Sequence, residues 1–127
     1  MSVPQDLFYA KTHEWVDLNE GIVTVGITDF AQSQLSDLTF VELPEVGTTF
    51  EAGEEAAVVE SVKAAADVYA PVGGEVIEVN MELEDAPELI NSDSFGKGWI
   101  FKIKVNDETE VDNMMDADSY EELCPSE

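Results

Sequence analysis

The chemistry that this chain suggests most directly is the acylation of one lysine, Lys63. The ε-amine of a lysine sits at the end of a flexible stem and loses its charge when it is acylated. The chain has 29 acidic and 5 basic residues, and Lys63 is the one basic residue between Lys11 and Lys97. Protein surfaces usually interleave both signs of charge, so this isolated cation indicates a role beyond solubility. An ordinary surface lysine on a tight turn is the alternative interpretation.

Two short segments rich in valine and alanine flank Lys63 and predict the β-hairpin that would present it. Residues 57–62 precede the lysine and residues 64–71 follow it, so the bend falls at or beside Lys63. Gly47 lies sixteen positions before the lysine and Gly74 eleven positions after it, each in a predicted turn. Residues 47–80 are therefore the segment around which the chain is organised.

The rest of the pattern predicts a mostly β fold with short helices. Asn19-Glu20-Gly21 is a good hairpin bend between two predicted strands, and Thr28 can cap a short helix that follows them. Pro87 lies in a segment that favours a turn or a short helix. The predicted strands are residues 8–18, 22–27, 38–43 and 56–61, followed after the lysine hairpin by residues 75–79.

The last predicted strand, residues 99–105, has the clearest alternation in the chain. Apolar side chains at the odd positions predict a buried face, and the even positions, Ile100, Lys102 and Lys104, predict a largely basic outer face. After this strand the period changes, and residues 107–123 predict a pair of helices. Asp107 and Asp116 are their expected caps, and the expected core contacts are Val111, Met114, Met115, Tyr120 and Leu123.

Residues 60–80, which read ESVKAAADVYAPVGGEVIEVN, resemble the lipoyl-attachment segment of the glycine cleavage H-protein family. Other segments resemble the same family in the same order and without a large insertion: THEWV, VGITDFAQ, FVELPEVG, PELIN and GWIFKIK. The resemblance covers essentially the whole chain, 1–127, as a single lipoyl-carrier domain. It implies a flattened β-barrel or sandwich of two small sheets, the lipoyl (biotinyl) domain type, with helices at its ends.

The resemblance implies that Lys63 carries lipoate in amide linkage and works as a mobile arm. Lipoate supplies a cyclic disulfide that can accept a carbon fragment on one sulfur. A pyridoxal-phosphate glycine decarboxylase would load an aminomethyl group, and a tetrahydrofolate-dependent aminomethyltransferase would remove it. Dihydrolipoyl dehydrogenase would then reoxidise the arm. The implied protein is a carrier in one-carbon metabolism that visits all three enzymes.

Three further site residues follow from the resemblance, and the expected geometry of the hairpin and its neighbouring turn adds two more. Thr12, Glu14 and Asp67 are expected near a cleft that shelters the loaded arm, because an exposed aminomethyl group would be lost to water. The two acids could also be ordinary solvated carboxylates, and Thr12 a strand hydroxyl. Glu60 is expected beside the hairpin tip, on the face opposite Lys63, where the lipoyl-attaching enzyme could read it. Gly47 could serve the same recognition by leaving room, or could be only a turn residue.

The residues needed for catalysis in a free-standing enzyme are not evident. The single histidine, His13, has no convincing nucleophile partner, and the sequence has no glycine-rich phosphate loop or metal-ligand cluster. A carrier needs none of these groups, because the cofactor and the partner enzymes supply the chemistry. We therefore predict a non-enzymatic component, with His13 structural or incidental and Cys124 an inert terminal thiol.

Four alternative functions share features with this sequence. A biotin carrier usually has methionine on both sides of its lysine, where Val62 and Ala64 stand here. A lipoyl domain of a 2-oxoacid dehydrogenase usually has aspartate before the lysine and belongs to a longer chain. A lipoyl relay carrier that donates lipoate to other enzymes would use this same sequence, and inspection does not separate the two roles. An unmodified acidic interaction module would keep the fold and lose the cofactor.

The net charge of −24 makes nucleic acid an unlikely partner, because phosphate would be repelled. It predicts docking onto basic patches of protein partners, although the acidity could also serve only solubility. The single cysteine fits a reducing compartment. The start of the chain does not resemble a targeting peptide, and no apolar run reaches membrane-spanning length. The expectation is a monomeric, soluble protein of a prokaryotic cytoplasm with no membrane association.

Overall fold

The computed structural model describes residues 7–112 and 114–123. These residues form nine strands and five short helices, joined by turns and loops. In chain order the strands are β1 (Phe8–Tyr9), β2 (Glu14–Asn19), β3 (Ile22–Ile27), β4 (Leu38–Glu42), β5 (Thr49–Phe50), β6 (Glu55–Ser61), β7 (Ala65–Tyr69), β8 (Gly74–Val79) and β9 (Phe101–Val105). The helices are α1 (Asp29–Leu35), α2 (Glu82–Asp85), α3 (Leu89–Ser92), α4 (Thr109–Asp112) and α5 (Ala117–Leu123).

The strands form two open antiparallel sheets. The larger sheet has the order β1-β2-β3-β9-β8-β5, and the smaller has the order β4-β6-β7. Buried valine, isoleucine and leucine side chains from both sheets form one continuous core between them, with Val25 and Ile103 on the larger sheet and Val59 and Val68 on the smaller. The predicted mostly β fold is therefore confirmed as a sandwich of two sheets with short helices at its ends.

The first predicted strand is interrupted, which corrects its bounds. Residues 8–18 do not form one strand, because a tight turn from Ala10 to His13 separates β1 from β2. The His13 N–H donates to the Ala10 carbonyl, and the Ala10 N–H donates to the Glu14 carbonyl. The next bend is as predicted: Glu20 and Gly21 have φ of 53° and 80°, as a tight hairpin turn requires.

Helices α1, α4 and α5 form where the sequence predicts capped helices, but α4 ends at Asp112, before the methionines that it was expected to carry. Thr28 caps α1 by accepting the Ala31 N–H. Asp107 and Asp116 also act as caps, accepting the Thr109 and Ser119 N–H groups respectively. Met114 and Met115 lie in the connection between α4 and α5 and not in a helix, which corrects their predicted placement. Their side chains do pack against the hydrophobic clusters, as expected. Cys124 and the Leu123 side chain lie outside the described residues.

The outward face of the last strand also needs a correction. Phe101 and Ile103 are buried as predicted, and Lys102 and Lys104 lie on the outer face opposite Glu78 and Glu75 of β8. Ile100 is fully buried, because the strand begins at Phe101 and the alternation does not extend before it.

A second, smaller cluster lies where α5 packs against β1. It consists of Leu7, Tyr9, Trp15, Ala117 and Tyr120. The Tyr9 and Tyr120 rings are stacked with centroids 4.8 Å apart. None of the helices within the described residues is long and apolar enough to cross a membrane.

Candidate functional site

Lys63 lies at the tip of the hairpin that connects β6 and β7. Val62, Lys63 and Ala64 form the bend, and the Lys63 side chain is exposed, with no ion pair to any residue that the structure describes. Val62 is 86% exposed. The amine is therefore presented outward without a competing carboxylate contact, as an acylation site requires.

The hydroxyl of Ser61 gives the bend a defined shape. Ser61 Oγ accepts the N–H groups of Lys63 and Ala64, at 3.1 and 3.0 Å, and the Ser61 N–H donates to the Ala64 carbonyl at 2.8 Å. Serine side chains commonly close turns in this way, so a serine two residues before the lysine was the available signal for a role that the sequence analysis missed. The lysine thus leaves a hydrogen-bonded turn.

The three-stranded sheet holds the hairpin through its buried inner face. Val59 of β6 and Val68 of β7 point into the core, as do Leu38 and Val41 of β4. The outer face carries the intervening side chains. It carries three carboxylates, those of Glu42, Glu60 and Asp67, interspersed with the apolar residues Phe40, Val58 and Ala65.

Glu60 is exposed beside the hairpin tip as expected, but strand alternation is not what relates its position to that of Lys63. Glu60 lies on the outer face of β6 between Phe40 of β4 and Ala65 of β7. The alternation of strand side chains cannot relate it to Lys63, because the lysine lies in the bend and not in the strand. Phe40 is 51% exposed, so an apolar ring and a carboxylate lie side by side near the tip.

Gly47 is required by its backbone conformation. It lies in the turn before β5 with φ of 96°, and a Cβ placed on it would meet no atom within 4 Å. The open space means that steric crowding within the chain does not require glycine there. Gly74 is different, because a Cβ at that position would overlap the carbonyl oxygen of Lys104.

A cavity of about 270 Å³ lies beyond the far end of β7. Thr12, Glu14 and Tyr69 provide polar groups to its wall, and Ala10, Gly53 and Pro71 lie beside them. The Thr12 hydroxyl donates to Glu14 Oε1, and the Tyr69 N–H donates to Glu14 Oε2 at 3.2 Å. The structure therefore brings Thr12 and Glu14 together in the wall of one cavity.

Glu14 is a buried carboxyl group in the wall of this cavity. It is only 1% exposed, and burial raises its pKa to about 7, against the opposing effect of the hydrogen bonds from Thr12 and Tyr69. Desolvation disfavours the charged form of a carboxyl group, and donated hydrogen bonds favour it. The group is therefore close to half ionised at neutral pH, and a cation beside it would favour its charged form.

An open strand edge connects Lys63 with the cavity. β7 is an edge strand, and the Ala70 N–H just after it donates to Glu54 on the β6 side. By alternation, the backbone groups of Ala65, Asp67 and Tyr69 point to the open edge, where Tyr69 meets Glu14. Tyr69 lies six positions after Lys63, and at about 3.3 Å per residue of extended strand the distance between them is at most roughly 20 Å.

Asp67 does not share the cavity wall with the other two predicted residues. Its side chain lies on the outer face of the small sheet, opposite Val58, and it is exposed. Of the predicted residues, the structure brings together Thr12 and Glu14. It leaves Glu60 and Asp67 on the outer face of the small sheet and Gly47 in the turn before β5 of the larger sheet. Tyr69 was missed, because its contribution to Glu14 is a backbone N–H that has no signature in the sequence.

Comparison with known proteins identifies the relatives of this chain. The family model described as "Glycine cleavage H-protein" matches residues 7–127. The glycine cleavage system H protein of Shewanella frigidimarina is 58% identical over 127 residues, covering 99% of this chain and 98% of that protein. A glycine cleavage system H protein of Thermus thermophilus is 54% identical over 127 residues, covering 100% of this chain and 99% of that protein.

The fold has a solved counterpart. A crystal structure of a glycine cleavage system H protein from Mycobacterium marinum superposes with a TM-score of 0.86 at 40% sequence identity. The match covers 93% of this chain and 95% of that one. The similarity therefore extends over both sheets rather than over the hairpin alone.

Proposed function

Because this chain belongs to the glycine cleavage H-protein family, we propose that it shuttles the aminomethyl group of glycine on a lipoyl arm attached to Lys63. The arm would be loaded by glycine decarboxylase, unloaded by aminomethyltransferase and reoxidised by dihydrolipoyl dehydrogenase. The single observation that carries the proposal is the exposed Lys63 at the tip of a hydrogen-bonded hairpin, in a chain similar to this family along its length.

The residues at the tip fit covalent attachment of lipoate. Lys63 is exposed and makes no ion pair among the described residues, so acylation of its amine breaks no contact. Ser61 holds the backbone of the bend, so the attachment point is fixed while the arm is free to move. When bound, lipoate would supply the disulfide that takes up the aminomethyl cargo. Glu60 and Gly47 are the proposed recognition features for the lipoyl-attaching enzyme.

Thr12 and Glu14 are the groups that we propose for holding the loaded end of the arm. The amine of the cargo is cationic near neutral pH, and the Glu14 carboxylate is the charged group that the cavity offers it. Thr12 and the Tyr69 N–H orient that carboxylate. The cavity would also limit the access of water to the cargo. Asp67 stays a predicted cleft residue, although its side chain lies on the outer face of the sheet.

The proposed role is that of a non-enzymatic carrier, in which partners perform the chemistry. The carboxylates on the outer face of the small sheet support docking onto basic surfaces of these partners, since complementary charge steers association. Nucleic acid is not a proposed partner. The cytoplasmic location and the monomeric state stay predictions.

The proposal is tested by reconstituting glycine decarboxylation with the lipoyl-attaching enzyme, the decarboxylase and the other two partners. We expect wild-type protein to support turnover and Lys63→Ala to support none, with both melting at the same temperature, because Lys63 is exposed. Lys104→Ala, which removes another exposed lysine from the opposite sheet, is the matched control and should remain active. Turnover by Lys63→Ala would refute the proposal.

A further inference from the structure

The turn that carries Thr12 and Glu14 is held by a residue distant in sequence. His13 lies between the two and has φ of 73°, a left-handed conformation that is uncommon outside glycine. This conformation costs free energy and persists only where neighbouring groups hold it in place. The groups that hold His13 in this conformation therefore also fix the positions of Thr12 and Glu14 in the cavity wall.

The side chain of Tyr120 in α5 forms a hydrogen bond with the His13 ring. Its hydroxyl lies 2.7 Å from His13 Nδ1 and 2.6 Å from Thr28 Oγ1. Both Tyr120 and Thr28 are fully buried, and Thr28 is also the cap of α1. The Tyr120 hydroxyl thus connects the cavity turn, the start of α1 and the C-terminal helix.

The backbone of His13 is attached to the same group of residues. Its carbonyl accepts the Thr28 N–H at 3.0 Å, and its own N–H donates to Ala10 at 3.0 Å. Its ring also packs against Phe30, with centroids 4.9 Å apart. Neither His13 nor Tyr120 lies in the cavity wall. Both therefore act on the cavity only through the positions of the residues beside His13.

We propose that Tyr120 is a positioning residue for the arm cavity, which through His13 holds the Ala10–Glu14 turn so that the Thr12 hydroxyl and the Tyr69 N–H both reach Glu14. The effect of Tyr120 on the cargo rests on the function proposed above, but its effect on the position of Glu14 does not. Without the Tyr120 hydroxyl, His13 loses the hydrogen bond that orients its ring, and the strained turn can relax. Glu14 then moves away from the edge of β7.

The Tyr69 amide is a direct reporter of this positioning. Its N–H points to the open edge of β7 and bonds Glu14 Oε2 at 3.2 Å. The Val68 amide points to the opposite side, toward β6, and serves as an internal reference within the same strand. Hydrogen exchange of Tyr69 relative to Val68, measured by NMR on the full chain without lipoate, isolates the Glu14 contact from overall unfolding.

We expect Tyr120→Phe to speed exchange at Tyr69 relative to Val68 by about tenfold, the factor that corresponds to the loss of roughly one hydrogen bond. Tyr9→Phe is the matched control, because it removes the hydroxyl of the ring stacked on Tyr120 and leaves the His13 contact in place. We expect it to leave the ratio unchanged. An unchanged ratio in Tyr120→Phe, or an equal rise in Tyr9→Phe, would overturn the proposal.

His13→Asn provides a second route if Tyr120→Phe does not fold. Asparagine tolerates a left-handed backbone but does not reproduce the His13 ring and its bond to Tyr120. His13→Asn should raise the ratio of the Tyr69 exchange rate to the Val68 exchange rate as much as Tyr120→Phe does. The variant with both changes should show no higher ratio than either single variant, because both changes break the same interaction. Additive effects would show that the two residues act separately and would overturn the proposal.

Measuring the rate of aminomethyl release from the loaded Tyr120→Phe carrier tests the positioning role separately from the proposed function. Faster Tyr69 exchange together with faster aminomethyl release in Tyr120→Phe supports both. Faster exchange with unchanged release supports the positioning role and counts against the cavity as the cargo site. Unchanged exchange overturns the positioning role whatever the release rate.

Discussion

Replacing Glu14 by glutamine should accelerate the spontaneous loss of the aminomethyl group without affecting lipoylation of Lys63. The change preserves the size of the side chain but removes the charge. The amide oxygen of glutamine can still accept the Tyr69 N–H, and its NH2 group can donate to the Thr12 hydroxyl, which then accepts instead of donating. A cationic amine about 4 Å from a carboxylate gains about 1 kcal/mol in water and about 4 kcal/mol at an effective dielectric constant near 20. Glu14 is buried, so the larger value is the better guide.

The raised pKa of Glu14 reduces this gain and makes it depend on pH. Because the pKa is about 7, ionising the group costs about 0.4 kcal/mol at pH 7 and about 1.4 kcal/mol at pH 6, but almost nothing at pH 8. Subtracting the ionisation cost at pH 7 from the larger attraction leaves about 3.6 kcal/mol, which corresponds to roughly 400-fold slower release; the smaller attraction leaves about 0.6 kcal/mol, or about threefold. The effect of Glu14→Gln should be largest near pH 8 and should shrink as the pH falls below 7.

The assay measures ammonia or formaldehyde released from purified loaded carrier with no other protein present. Dividing the rate of the variant by that of the wild type at each pH removes the intrinsic pH dependence of the cargo. Glu75→Gln makes the same chemical change at an exposed acid of the larger sheet and should release at the wild-type rate. Equal rates for Glu14→Gln and wild type, or a ratio that does not change with pH, would refute the reasoning.

Three further predictions follow from the geometry. The pKa of Glu14 is higher in the folded chain than in the unfolded chain, so the free energy of unfolding is highest below pH 4.5 and falls as the pH rises to 7, by on the order of 3 kcal/mol. Glutamine does not ionise, so chemical denaturation should show Glu14→Gln gaining stability relative to wild type between pH 5 and pH 8. Ser61→Ala should lose about 1 kcal/mol and slow lipoylation by the attaching enzyme, because two bend N–H groups lose their acceptor; an unchanged lipoylation rate would show that the shape of the bend is not recognised. Binding to the decarboxylase and the aminomethyltransferase should weaken as ionic strength rises from about 0.01 M to about 1 M, over which the Debye length falls from about 30 Å to about 3 Å; salt-independent titrations would show that apolar contacts dominate.

Local signals were sufficient to predict the hairpin around Lys63. Valine-rich runs on both sides of a single cation predict two strands and a bend, and both strands are present. Thr28 and the Asn19-Glu20-Gly21 bend behaved as predicted for the same reason, because caps and tight turns depend on neighbouring residues.

The cavity depends on how the two sheets meet, which local patterns do not encode. Glu14 was predicted from family resemblance, but its burial follows from the packing of β2 against the end of β7. Asp67 lies two residues from Tyr69, and its side chain points to the outer face because the inner positions of β7 are those of Ala66 and Val68. The role of His13 depends on Tyr120, which lies 107 residues away in the chain.

The central claim is that Lys63 is the attachment point of the working arm. Intact and peptide mass spectrometry of the protein from cells with lipoylation enzymes tests it most directly. The prediction is one lipoyl adduct located on Lys63 and no adduct on the Lys63→Ala variant. A bare Lys63 in the wild-type protein, or an adduct on another lysine, would contradict it.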